Sequence, residues 1–224
     1  MPLARCGKLP GFTIIEILAC IAVIGVLAAI IIAVTSRVIA SANNARCVSN
    51  FRELGVGINL YIAEHNGILP GPLYAGQNIN YRVNDRGEVT ESGMLVSYLT
   101  DYLEFPISGR NRINSAKAIL CPAWLAVRES EGIVFGRLIT GFPFQASHHF
   151  GQPPPLDGTA PQKDPVHISS IEEPGETMAL TETDRQYEFA VGSGSVGLAN
   201  VPVHGDHRNQ LFFDGHVEAE PAQN

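Results

Sequence analysis

Charge is what this 224-residue sequence has least of: Asp, Glu, Lys and Arg make up 17% of it, and the balance leans acidic, 22 Asp and Glu against 15 Lys and Arg. No basic stripe is left over, so a nucleic-acid partner is not expected. Catalytic signatures are missing as well. There is no Gly-x-Ser-x-Gly elbow, no phosphate loop and no Cys-x-x-Cys pair, and the adjacent His148-His149 has no partner pattern around it, so enzyme activity is not expected. No internal repeat is apparent. Beyond one long apolar stretch the length suits a single domain able to bury its own core.

Within that stretch the scarcity becomes total. From Ile17 to Val34 there is neither a charge nor a proline, and at 1.5 Å per helical residue the run covers roughly 27 Å, close to the hydrocarbon thickness of a bilayer. A membrane helix is expected. Glu16 lies at its N-terminal edge, where an immersed carboxylate costs about 2.5 kcal/mol or more and needs the interface or a positive partner. A secretory signal peptide is an alternative, with Ala40-Ser41-Ala42 as its small-x-small cleavage site, but its apolar core would be only about 7–15 residues long. An ordinary signal anchor, with Glu16 favoured by the helix dipole, explains the carboxylate but not Gly11-Phe12.

Gly11-Phe12-Thr13-Ile14-Ile15-Glu16, behind a leader carrying Arg5 and Lys8, resembles the prepilin signal of type IV pilins and type II secretion pseudopilins. The resemblance implies cleavage by a prepilin peptidase between Gly11 and Phe12, N-methylation of Phe12, and a role in assembly for Glu16 as the fifth mature residue. It also implies a leader over 1–11, a transmembrane and assembly helix over 12–36, and a periplasmic head over 37–224 that includes the amphipathic half of the helix. The implied setting is the bacterial inner membrane, with the N-terminus cytoplasmic and the head periplasmic, and other pilin-like subunits as partners. The implied fold is α+β: a long N-terminal helix whose second half packs on a small, mainly antiparallel sheet with long loops. Two departures stand out. Pro10 occupies a place often held by a basic residue, and Ala33 stands where pilins commonly have a proline, leaving Gly25 as the soft point of the helix. Loss of the leader takes the formal charge from −7 to −9.

After the apolar run the helix is expected to continue to Glu64 or His65, a rod of about 80 Å, and to end at Asn66-Gly67 with Gly67 as a left-handed cap. Cys47, Phe51, Leu54, Ile58 and Tyr61, with Ile62 alongside, form a stripe that the head must cover. Gly55 and Gly57 flank it at a cost of about 1 kcal/mol each against Ala, which predicts close approach of another element. Farther on, Asn80–Val83, Ala118–Leu120, Ile133–Ile139, Thr177–Thr181 and Leu211–Phe213 are expected strands, and Met94–Leu103 a helix. Pro153 to Pro165 reads as an extended surface loop and Gly192 to Ser195 as a flexible one. Asp214-Gly215 between two strand-like runs predicts a two-residue type I′ hairpin, with Phe213 facing His216 and Phe212 facing Val217.

Further segments resemble a subgroup of prepilin-like proteins: Arg46 to Gly55 in the helix, Glu173-Pro174-Gly175-Glu176-Thr177, and His204 nine residues ahead of Asp214-Gly215, as in a His-x9-Asp-Gly signature. With Cys6 in the leader and Cys20 in the apolar run, Cys47 and Cys121 remain for a disulfide; the alternative is that both are small buried hydrophobes. His204, Asp206, His207, Asp214 and His216 are the candidate metal ligands, for zinc or another divalent ion, in a spacing unlike standard zinc motifs. The alternative is a hairpin in which Asp214 serves the turn. Calcium would draw on Glu182, Asp184, Asp206 and Asp214. No cofactor is required by any motif. The expected function is a structural subunit of a type II secretion or type IV pilus-like filament. The alternatives are a membrane-anchored periplasmic metal-binding protein or enzyme, and a ligand-binding module at a filament tip.

Overall fold

The structure is a computed structural model, and it describes residues 13–90, 93–130, 144–155, 159–186 and 198–222. It is α+β, and it divides into two compact units, Met1–Ser41 and Ala42–Asn224. The first contains the start of helix α1 (Ile14–Glu64). Every side chain described between Thr13 and Ala42 is exposed, including large apolar ones such as Ile14 at 89% and Ile32 at 74%. This part of the helix is long and apolar enough to cross a membrane.

In the second unit the helix carries the expected stripe: Cys47, Phe51, Leu54, Ile58 and Ile62 are buried and Tyr61 packs at the edge of the core. Burying side chains of this size stabilises by about 1.5–3 kcal/mol each. The two glycines mark the close approaches. A Cβ on Gly55 would lie 3.1 Å from Leu211 Cδ1, and one on Gly57 3.0 Å from Leu103 Cδ1. At the helix end the first left-handed residue is Asn66 (φ 53), followed by Gly67 (φ 84). The Gly67 N–H donates to the Ile62 carbonyl at 2.9 Å, the wide bond of a Schellman ending. Glycine is required there for space as well, since a Cβ would come within 2.1 Å of His167 Nε2.

Strands β1 (Gly76–Gln77), β5 (Phe144–Ala146), β6 (Met178–Glu182), β7 (His207–Phe212) and β8 (Val217–Pro221) form one antiparallel sheet in the order β1-β5-β6-β7-β8. A second, of order β3-β2-β4, is built from β2 (Asn80–Val83), β3 (Val89–Thr90) and β4 (Arg112–Ser115). Among the described residues the other α-helices are α2 (Leu95–Tyr98) and α3 (Pro122–Ser130).

Three local expectations are corrected. The helix expected over Met94–Leu103 is only four residues long, because hydroxyls compete for its carbonyls: Ser97 Oγ donates to Met94 O at 2.6 Å, and Thr100 Oγ1 to Val96 O at 3.0 Å. Turns then carry the chain to Glu104, which is left-handed (φ 49). Ala118–Leu120 is not a strand but overlaps a 3₁₀ turn, Lys117–Ile119, and the Leu120 carbonyl accepts from Asn50 Nδ2 of α1 at 3.1 Å. The hairpin is one residue longer than a type I′ turn allows. Leu211 pairs with Val217, Phe212 N–H donates to His216 O at 3.0 Å, and Gly215 (φ 92) has positive φ while Asp214 does not. That is a three-residue loop closed by a glycine bulge, and it sets Phe212 against His216, their rings stacked at 4.4 Å. The segments Ile133–Ile139 and Gly192–Ser195 lie outside the described residues.

Because the second unit covers the stripe with its own residues, a chain beginning at Val38 is expected to be folded and mostly monomeric. Sedimentation and circular dichroism check this, and aggregation through the helix would show that other subunits cover the stripe. In that chain Leu54→Ala should lower unfolding stability by about 2–5 kcal/mol.

Candidate functional site

Two places concentrate the chemistry, one in each unit. At the start of α1, Glu16 Oε2 accepts from the Thr13 backbone N–H at 2.8 Å and from Thr13 Oγ1 at 2.9 Å, and the Glu16 N–H donates back to Thr13 Oγ1 at 3.3 Å. This is a capping box: Thr13 sits at the N-cap position and Glu16 three residues on, Glu16 satisfying the Thr13 N–H that the helix leaves unpaired, while the Glu16 N–H is shared between Thr13 Oγ1 and the Thr13 carbonyl, the latter at 3.2 Å. The Thr-x-x-Glu pattern is legible in the sequence, where Glu16 stands out for its charge and for its place in the prepilin-like motif rather than as a cap. Gly11 and Phe12 lie outside the described residues.

In the second unit, the five C-terminal residues proposed as ligands make three sets of polar contacts, two of them joined by the rings of His204 and His207, which stack at 5.4 Å. Asp214 Oδ1 accepts from the His216 backbone N–H at 3.0 Å and lies 2.6 Å from His216 Nδ1, inside the hairpin loop. Asp206 Oδ1 lies 2.8 Å from His207 Nδ1 at the surface. His204 is buried, its side chain only 3% exposed, with Nε2 at 3.1 Å from Glu182 Oε1 and 3.6 Å from Cys121 Sγ. Both carboxylates of the first two groups are held below the ordinary carboxylate value. For Asp214 the main cause is the His216 backbone N–H, and for Asp206 it is the hydrogen bond with His207. The calcium set is similarly divided. Asp184 is buried and takes Arg208 in a two-pronged ion pair, Nε to Oδ2 at 2.7 Å and Nη2 to Oδ1 at 3.0 Å.

The group that does assemble is a different one. Cys47 on α1 and Cys121, just ahead of α3, form a disulfide with Cα atoms 4.8 Å apart, across 74 residues of sequence. Glu182 at the end of β6 and His204 ahead of β7 close on it, so that one ligand atom from each of the four side chains lies within 4.8 Å of every other. Glu182 is fixed from behind, since its Oε2 accepts from the Asn209 backbone N–H at 2.9 Å. Beside it Cys47, Asn50, Leu120, Trp124 and Arg208 help line a cavity of about 20 Å³, room for about one water. A Cys-His-Glu triad is excluded on geometry. Base and orienting acid must use different ring nitrogens, whereas Glu182 and Cys121 face the same Nε2.

This geometry gives the His-x9-Asp-Gly spacing a physical meaning: it is the length of β7 with its two ends. His204 enters the sheet beside the disulfide, six residues of strand follow, and Asp214-Gly215 turns the chain at the far side. Glu182 was singled out from the sequence only as a calcium oxygen, and nothing local marks it as the partner of His204. The spacing Gly-x-Gly-x-x-Gly does occur, at Gly192 to Gly197, outside the described residues; Leu198 to Asn200, directly after it, are not helical. No protein-family model, curated protein or solved structure matches the chain.

Two measurements follow from these contacts. An alkylating reagent should label Cys47 and Cys121 only after reduction and denaturation, and replacing both with serine should lower stability by about 4 kcal/mol on the loop-entropy estimate for a bridge of this span. Asp214→Asn keeps an oxygen acceptor but loses the charge. A carboxylate whose native value is depressed contributes stability that is present above its unfolded value and lost as pH falls through the native one. The variant should therefore be less stable than wild type at neutral pH, with the gap closing in acid, as read by denaturation at a series of pH values.

Proposed function

We propose that the chain is a non-enzymatic, prepilin-like structural subunit, made as an inner-membrane protein with a periplasmic head and then assembled with copies of itself or related subunits into a pilus or pseudopilus. The observation that carries this reading is the junction of Gly11-Phe12-Thr13-Ile14-Ile15-Glu16 with an apolar helix that nothing covers. An apolar helical surface of this size needs lipid or other subunits around it. A head in which a helix packs on an antiparallel sheet supports the same reading. A disulfide between Cys47 and Cys121 suits a periplasmic location.

In this reading a prepilin peptidase cuts after Gly11, and Phe12 becomes a methylated N-terminal amine. The amine and Glu16 are four residues apart in sequence and pair within one chain, or they meet between neighbours when an incoming subunit is displaced along the filament. Opposite charges at about 4 Å attract by about 4 kcal/mol at an effective dielectric of 20, comparable with the cost of placing the carboxylate in the apolar layer. Pairing between neighbours would thus set subunit register.

The capping box makes the test sharper than a deletion of the charge alone. Glutamine serves at the third position of a capping box as glutamate does, so Glu16→Gln keeps the cap and removes only the charge, whereas Thr13→Ala removes the cap and keeps the charge. We expect both variants to be inserted and cleaved after Gly11, as read by N-terminal sequencing of membrane protein, with Glu16→Gln failing to enter filaments and Thr13→Ala retaining much of its assembly. If Glu16→Gln polymerises like wild type in vivo, Glu16 acts through the helix cap and the register mechanism fails. An intact leader in the presence of a working prepilin peptidase would overturn the filament-subunit reading itself.

A further inference from the structure

We propose that Cys47, Cys121, Glu182 and His204 form a redox-gated zinc site: with the disulfide reduced, the two thiolates, His204 Nε2 and Glu182 Oε1 hold one Zn²⁺, and oxidation of the thiols to the disulfide releases it. The ligands come from four places far apart in sequence, and all four donor atoms already lie within 4.8 Å of one another. Two of the six edges of a coordination tetrahedron are nearly in place. Zinc–ligand distances of about 2.0–2.3 Å require about 3.4 Å between nitrogen and oxygen and about 3.6 Å between nitrogen and sulfur. His204 Nε2 lies 3.1 Å from Glu182 Oε1 and 3.6 Å from Cys121 Sγ.

What remains is for the sulfurs to part to about 3.8 Å, the sulfur–sulfur edge of the same tetrahedron, and for the other three edges, each already within 4.8 Å, to settle near their tetrahedral lengths. The donor set of two thiolates, an imidazole and a carboxylate is one that favours zinc over calcium or magnesium. The surroundings suit a metal better than a nucleophile. Glu182 keeps Oε1 turned inward because Oε2 is held by the Asn209 N–H at 2.9 Å, the kind of outer contact that orients a ligating carboxylate. The convergence of Oε1 and Sγ on a single imidazole nitrogen, which rules out a triad, is what chelation requires.

The exchange balances. A dithiol reductant gives two electrons and two protons to the Cys47–Cys121 bond, yielding two thiols and a cyclic disulfide of the reductant. Zn²⁺ then displaces the two thiol protons to solvent, while the His204 proton moves from Nε2 to Nδ1 so that Nε2 can donate its lone pair. Either state joins α1 to the segment ahead of α3. Zinc thus serves as the cross-link of the chain before oxidation, and the disulfide afterwards.

The test uses the full chain in detergent, with Cys6→Ser and Cys20→Ser to remove the other thiols. A phosphine serves as reductant because a dithiol would compete for metal; it reduces the bond with water supplying two protons and its own oxide oxygen. Co²⁺ titrated into the reduced chain should give thiolate-to-cobalt charge-transfer absorption and tetrahedral ligand-field bands saturating at one equivalent, displaced by Zn²⁺. Oxidation should abolish them. His204→Gln and Glu182→Gln, which retain both cysteines, should each weaken binding by about tenfold or more, with circular dichroism of their oxidised forms confirming the fold. The proposal is overturned if the reduced chain gives no such bands, or if the bands are indifferent to both variants, which would mean two thiols on a loosened chain. Equal metal uptake by the oxidised chain would also overturn it, placing the ion on surface residues such as Asp206 and His216.

Discussion

The approach of α1 to β7 is the constraint on which the second unit depends. Gly55 has no side chain, and Leu211 fills the space that one would take, so helix and strand meet backbone to side chain. Leu211 is fully buried, and Leu54, Ile58, Leu180 and Phe213 belong to the same core. A glycine in a helix interior sacrifices about 1 kcal/mol of propensity, and here closer packing over the sheet offsets it. The disulfide then fastens the same face of α1 about two turns earlier in the chain, at Cys47, and Asn44 Oδ1 accepts a hydrogen bond from Asn209 Nδ2 of β7 at 2.9 Å.

Residues whose roles are local were legible in the sequence; of those defined by distant partners, Cys47 and Cys121 alone were candidates for their pairing. The apolar run, the stripe from Cys47 to Ile62 and the Asn66-Gly67 ending follow from periodicity and from left-handed backbone preference, and these depend only on near neighbours. Asp214-Gly215 announced a hairpin correctly, yet its register was misread by one residue, because Asp-Gly serves both a two-residue loop and the turn-plus-bulge that the structure adopts. The consequence is physical: Phe212 stacks on His216, and the Asp214 carboxylate binds the His216 N–H. Glu182 shows the other limit. Its partners His204 and Asn209 lie 22 and 27 residues away, and a lone Glu at the end of a short strand gives no sign of either.

At the N-terminal end the same carboxylate serves two demands. The first turn of any helix leaves N–H groups unpaired, and in an apolar layer these have no water to turn to. Glu16 satisfies the Thr13 N–H and Thr13 Oγ1, which accounts for an acidic residue at this edge without any partner chain. A proposed role in assembly must therefore come from what the cap leaves over. Both bonds from Thr13 fall on Oε2, and the net negative charge is not neutralised by neutral donors. A cation approaching from another subunit would meet a carboxylate already fixed in direction by its cap, so less side-chain freedom is lost on pairing than for an unrestrained glutamate.

The cluster around Cys121 illustrates how burial limits the chemistry a group can perform. A buried imidazole and a buried carboxylate facing each other form a pair whose separation from water is tolerable only while both remain bonded. His204 and Glu182 meet that condition, and the Asn209 N–H supplies the second bond to the carboxylate. With its only described ring-nitrogen contacts on Nε2, His204 is held against Glu182 and the disulfide together, and the adjoining cavity of about 20 Å³ among the described residues admits little more than a water. What fits such a place is small, positively charged and able to use several donors at once, and that describes a proton or a metal ion. The disulfide determines which of the two the site accepts, because only its reduction turns a pair of bonded sulfurs into ligands.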